Sequence, residues 1–239
     1  LMFWSRGARA LADLAILPVA GFLVRIVIEP LEYWPLAMDF MDKAIALRPA
    51  ESAAPATAGV LLGLATLLSL LSAWRSGGGE YRPHWAAAAA LIAPLTAVGL
   101  ELFWLPGEVI GAYPWALHVI ALAAGLTLLA LRFARADRPD MRRAAYMALS
   151  VLSLIALALF LVLTKGALTL ALGALIVVAA LLDRRFRLPE MSLFIQAAVV
   201  GLSYRLVIDP GLPWAVESAA LWEVVTAYGG AVLAMAAAL

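Results

Sequence analysis

The chain is 239 residues long, with 65% hydrophobic residues, only 14% charged ones and a mean hydropathy of +0.98, whereas soluble domains run at roughly 45–50% apolar and about 25% charged. That much apolar surface exceeds what a water-soluble core of this size hides, so the chain reads as an integral membrane protein. A net charge of +1 provides no field to gather nucleic acid, and the lack of cysteine excludes disulfides, thiolate nucleophiles and cysteine-held metal or iron–sulfur sites.

A bilayer core of roughly 30 Å calls for about 20 apolar residues in a helix. Eight runs meet that need, at residues 10–28, 53–74, 85–105, 112–133, 143–163, 166–182, 191–208 and 215–239. They are rich in Ala and Leu without two-residue alternation, which points to helices and not to a closed barrel. The predicted fold is all-α: a polytopic transmembrane helix bundle of about eight spans, one transmembrane region over residues 1–239, built of repeated hairpins. The start on Leu1 and the apolar close "AVLAMAAAL" read as an excerpt of a longer protein.

The first run carries Asp13 near its inner end and Pro18 as a kink point, and it closes on "RIVIEP", Arg25 to Pro30. Residues 29–52 form an outer connection in which Leu36, Phe40, Ile45 and Leu47 mix with Asp39, Asp42 and Lys43. That pattern is shared by an amphipathic helix lying along the interface and by a plain surface loop helix. The second run holds "GVLLG", whose Gly59 and Gly63 are spaced to let another helix pack closely. The third has Pro94 inside it and ends "ELFWLP", with Glu101 five residues before Pro106. His118 in the fourth run stands alone, which fits hydrogen-bonded packing better than a metal ligand, and no metal or cofactor is expected. "LTKGAL" reverses the chain between the fifth and sixth runs, with Gly166 as its positive-φ residue. The seventh closes on "RLVIDP", Arg205 to Pro210, and the eighth carries Glu223 near its outer end.

The connections sort by charge. Arg6 and Arg9, Arg75 and Arg82, five arginines between 132 and 143, and three between 184 and 187 fall on one side; Lys43, Arg48 and Lys165 fall on the other. Cytoplasmic loops accumulate Lys and Arg, so the first set, and both ends of the chain, are expected in the cytosol. Trp104, Tyr113, Trp115 and Trp214 gather by the outer loops, as an interfacial belt would.

"GFLVRIVIEP" from Gly21 matches "GLSYRLVIDP" from Gly201, giving repeat copies near 10–30 and 190–210 that run in the same direction. In each copy the four-residue step, Arg25 to Glu29 and Arg205 to Asp209, puts both charges on one helical face. Two readings stay open. Each arginine can snorkel outward to its own acid and anchor its helix. Alternatively, Arg25, Glu29, Glu101, Arg205, Asp209 and Glu223 line a polar site at the outer ends of the first, third and seventh helices.

The repeated "G-x-x-x-R-x-V-I-x-P" unit, the inner loops "RFARADRPDMRRAAYMALS" and "DRRFRLPEMSL", and the "LTKGALTLALGAL" hairpin are similar to the bacterial multi-spanning family of predicted membrane proteins (domain of unknown function 2339). That resemblance implies a multi-pass protein of the bacterial inner membrane; it lends no activity and no functional residues. No nucleophile with a base is evident, so the chain reads first as a non-enzymatic scaffold or accessory subunit binding membrane lipids or a partner membrane complex. A transporter or lipid-handling channel built on the outer polar site is the alternative.

Overall fold

The computed structural model describes residues 17–32, 55–78, 81–137, 140–163, 165–187, 190–208 and 211–238. Among the described residues there is no strand, and eight main helices follow one another: α1 (Leu17–Glu32), α2 (Pro55–Arg75), α3 (Arg82–Trp104), α4 (Ala112–Ala136), α5 (Arg142–Val162), α6 (Lys165–Phe186), α7 (Met191–Val207) and α8 (Leu221–Ala238). Short helical turns, Pro106–Val109 and Gly211–Ser218, follow α3 and α7. Among the described residues five helices, α3, α4, α5, α6 and α8, are long and apolar enough to cross a membrane, and the count is six if α7 and Gly211–Ser218, which meet at a 52° bend, are one span. Eight crossings are predicted from the sequence. The difference falls on α1 and α2, whose predicted runs begin at 10 and 53, outside the described residues. Asp13 and most of the 29–52 connection lie outside them too.

α3 is the hub because it is narrow. In "WAAAAALIAP" the residues Ala86, Ala88, Ala89, Ala90 and Ala93 are all buried, and small side chains let neighbouring backbones close in where lipid offers no hydrophobic drive to association. α1, α2 and α5 all pack against it. Its apolar window is 56% buried, against 17% for α8, which places α3 at the centre and α8 at the edge. Hydrogen bonds between the helices fasten these contacts. Ser69 of α2 donates to the Ala89 carbonyl at 2.6 Å, and the Trp104 indole donates to the Ile26 carbonyl of α1 at 3.1 Å. Pro94 is accommodated within α3 and buried, so its forfeited helical bond faces protein and not lipid.

Pro106 decides where α3 stops. Its ring disfavours the right-handed helical region for the residue before it, and here Leu105 leaves the helix at φ 49°, a left-handed conformation, while its N–H bonds the Leu100 carbonyl. α4 then doubles back against α5, the most extensive helix pair among the described residues. Trp115, expected in the aromatic belt, is instead 2% exposed in the core between these helices, whereas Tyr113 is exposed.

α6 and α8 form a second seam. A Cβ built on Gly173 would lie 3.1 Å from the Ala234 Cβ, and one on Gly166 would lie 3.7 Å from the Ala227 Cβ. Both partners step by seven residues in the same direction, so the two helices run parallel with a heptad-like small-residue contact. Gly166 is therefore not the positive-φ turn residue that its place in "LTKGAL" predicts. It lies within α6, and among the described residues the glycines with positive φ are Gly111 and Gly211. α6 starts at Lys165, and a methyl group at Gly166 would sit at ordinary contact distance from Ala227, so it is Gly173 whose lack of a side chain the close approach uses.

The ends of the bundle are sorted by contacts that cross it. Arg143, at the start of α5, bonds Ser76, just after α2. Met191, at the start of α7, shares a core patch with Met141 and Ala145. The arginine-bearing connections after α2, α4 and α6 thus meet at one end, called here the basic end, as the charge pattern predicts. Gly166, Ala227 and Trp214 come together at the other.

Candidate functional site

The described residues among those predicted to line an outer polar site occupy two separate helix groups. α1 packs on α3, while α7 packs on α6 and touches α8 and α5; no substantial contact joins α7 to α1 or α3. Arg25 is exposed on α1, whereas Arg205 is 6% exposed on α7, on the face where Leu202 meets Ile176 and Ala231. The matching sequence positions thus have different surroundings. They also end differently, since α1 runs through Pro30 to Glu32 and α7 stops at Val207. The side chain of Glu29 and the whole of Asp209 lie outside the described residues.

The other acids serve their own backbone. Glu101 Oε2 accepts the Gly107 N–H at 3.4 Å, fastening the turn after Pro106. The buried Trp115 indole lies beside the same carboxylate without closing a hydrogen bond of full geometry. Glu223 Oε2 accepts the Ala220 N–H at 3.0 Å. That is the return half of a capping box, with Ala220 as the cap and Glu223 three residues on. His118 Nδ1 donates to the Pro114 carbonyl at 2.7 Å on its own helix. Among the described residues no group of three His, Asp or Glu could hold a metal.

The glycines predicted for close helix packing are open. A Cβ on Gly59 or Gly63 would meet nothing within 4 Å. Close approach occurs instead at Gly99, where a Cβ would lie 3.1 Å from Ile26 Cγ2, and at Gly173. A GxxxG spacing marks a face capable of packing, but the partner is chosen by neighbouring helices. Gly63→Ala is accordingly expected to hold or raise the detergent unfolding midpoint, by up to about 1 kcal/mol, since helical glycine costs that much relative to alanine. A lowered midpoint in the purified chain would show that a helix does seat there.

Among the described residues the densest polar cluster is at the basic end, where the sequence shows only topogenic charge. Arg143 binds Asp137 through two prongs, Nε to Oδ2 at 2.5 Å and Nη2 to Oδ1. Its Nη1 donates to the Ser76 carbonyl at 2.8 Å and to Ser76 Oγ at 3.1 Å. The guanidinium also stands 4.4 Å from the centre of the Phe133 ring. One side chain thereby ties the ends of α2 and α4 to the start of α5. The cue in the sequence is local: Arg142 and Arg143 occupy the first turn of a helix with no acid there, a position the helix dipole disfavours for cations. Nearby, Arg75 is 5% exposed, donates to the Gly78 carbonyl at 3.0 Å and stands 5.5 Å from the Trp85 ring. A cleft of about 770 Å³ opens beside this cluster, lined by Arg75, Arg132 and Arg143 together with Leu70, Trp74 and Phe133.

No curated protein and no solved structure matches the chain. The family model described as "Predicted membrane protein (DUF2339)" matches residues 4–239. With a helical bundle of membrane-crossing apolar helices and a match over almost its whole length, the chain belongs to the DUF2339 family of predicted membrane proteins.

Proposed function

We propose that this chain is a non-enzymatic scaffold or accessory subunit of the bacterial inner membrane. In this reading it crosses the bilayer eight times, turns its basic end to the cytosol and holds membrane lipid or a partner membrane subunit. The observation that carries the reading is the use made of its polar side chains. Ser69, Trp104, Glu101, Glu223 and Arg143 each bond backbone or a neighbouring helix, so they fix the shape of the bundle and are not gathered around a shared polar path.

The test is solute-driven swelling of proteoliposomes containing the full chain, run over a panel of ions, sugars and amino acids. Swelling no faster than in empty liposomes is expected for every solute. A solute-selective swelling that Arg205→Ala abolishes, while the purified protein keeps its mass on a native gel, would sink the scaffold reading. It would install the second one, a transporter or lipid-handling channel. One feature favours that alternative: buried Arg205 lies just before the 52° break between α7 and Gly211–Ser218, and broken helices beside buried charge recur at transport sites.

A further inference from the structure

We infer that the cleft at the basic end of α2, α4 and α5 seats the headgroup of an anionic phospholipid, with its acyl chains along the apolar faces beside it. The inference deepens the scaffold reading and rests on it. Three observations meet at this place.

The first is charge. Arg143 is committed to Asp137, and Arg75 adds a buried guanidinium to the cleft wall. Arg132 contributes to the same wall and is exposed. A second hollow of about 490 Å³ shares Arg132 and adds Arg135. Among the described residues, neither Arg132 nor Arg135 is paired with an acid. Among the described residues that line the two hollows, Arg132 and Arg135 therefore add positive charge beyond the pair that Arg143 makes with Asp137. Guanidinium forks match phosphate oxygens two at a time.

The second is the company these arginines keep. Trp74, Leu128 and Leu131 are 54%, 70% and 49% exposed, and they stand beside the arginines in the two hollows. A soluble anion gains nothing from them, whereas a lipid brings acyl chains to cover them. The third is depth. The hollows lie where apolar α2 and α4 reach their arginine-bearing ends, the level at which a headgroup phosphate sits, and basic pockets between membrane helices recognise anionic headgroups there. A zwitterionic lipid would set its own cation against the arginines, so the site selects net negative charge.

The experiment is native mass spectrometry of the full chain in detergent with phosphatidylglycerol and phosphatidylcholine supplied in equal amounts. Phosphatidylglycerol is expected to be retained preferentially. Arg132→Gln and Arg135→Gln should each weaken its retention by about fivefold, the effect of one basic side chain at an anionic membrane surface, with phosphatidylcholine unaffected. Neither arginine belongs to the Arg143 tie, so an unchanged unfolding midpoint in phosphatidylcholine micelles shows that the variants fold. Equal retention of the two lipids overturns the proposal, as does phosphatidylglycerol binding that ignores both substitutions. Inorganic phosphate that displaces phosphatidylglycerol at equal concentration would also overturn it, because the cleft would then read phosphate without the lipid. Swelling activity bears on the scaffold reading alone, so the two failures are separable.

Discussion

Arg143→Ala is expected to destabilise the bundle by about 3 kcal/mol, the low end of the range for breaking a largely buried ion pair. The two side chains are 11% and 14% exposed, so Asp137 would be left mostly out of water without its cation, and the Ser76 carbonyl would lose a donor at 2.8 Å. The loss is read as a lowered unfolding midpoint in mixed detergent and dodecyl sulfate micelles, followed by tryptophan fluorescence. A double-mutant cycle with Asp137→Ala separates a tie from two independent effects. The double variant is expected to lose far less than the two single losses added together, because removing both partners strands no charge. Strict additivity would show that the pair holds nothing. Arg143→Lys should recover only part of the loss, since an ammonium cannot span both carboxylate oxygens and Ser76 as the guanidinium fork does.

Gly173→Leu is the second large effect, with an expected loss of up to about 3 kcal/mol from overpacking. At Gly173 even a bare Cβ falls 3.1 Å from the Ala234 Cβ and 3.9 Å from the Gly230 carbonyl oxygen, so a leucine can be fitted only by moving α8 off α6. The measurement is the same unfolding midpoint, paired with Gly173→Ala in the presence and absence of Ala234→Gly. The glycine on the partner helix of the seam should restore most of what the alanine takes away. A Gly173→Leu protein with the wild-type midpoint would mean that α6 and α8 are not in close contact. Gly63→Ala is the matched control, because the space around Gly63 is open.

These two substitutions also show where sequence reasoning reached and where it stopped. Gly63 and Gly173 look alike in the chain, each a glycine in an apolar run, and the GxxxG spacing favours Gly63. Packing reverses that order, because closeness belongs to a pair of surfaces and the second surface, Ala234, lies 61 residues from Gly173. Arg25 and Arg205 share a motif in the same way, yet one is exposed and the other buried. A local match carries no information about which helix comes alongside. Arg143 was legible as topogenic charge but not as a tie, since Ser76 is 67 residues away.

By itself the sequence determined the solvent, the helical class, the boundaries of most helices and the gathering of the arginine-bearing connections at one end. Hydropathy, helix periodicity and loop charge act within a span or at its flanks, and each is complete within a stretch of some twenty residues. Tertiary structure alone decided that α3 is the hub, that α6 and α8 run parallel along a glycine–alanine seam, that Trp115 is core, and that the predicted outer polar residues divide between two helix groups. In lipid every apolar face is equally content beside a tail or another helix. The choice of neighbours therefore falls to small-residue fit and a few buried hydrogen bonds between distant residues, and neither leaves a periodic mark in the chain.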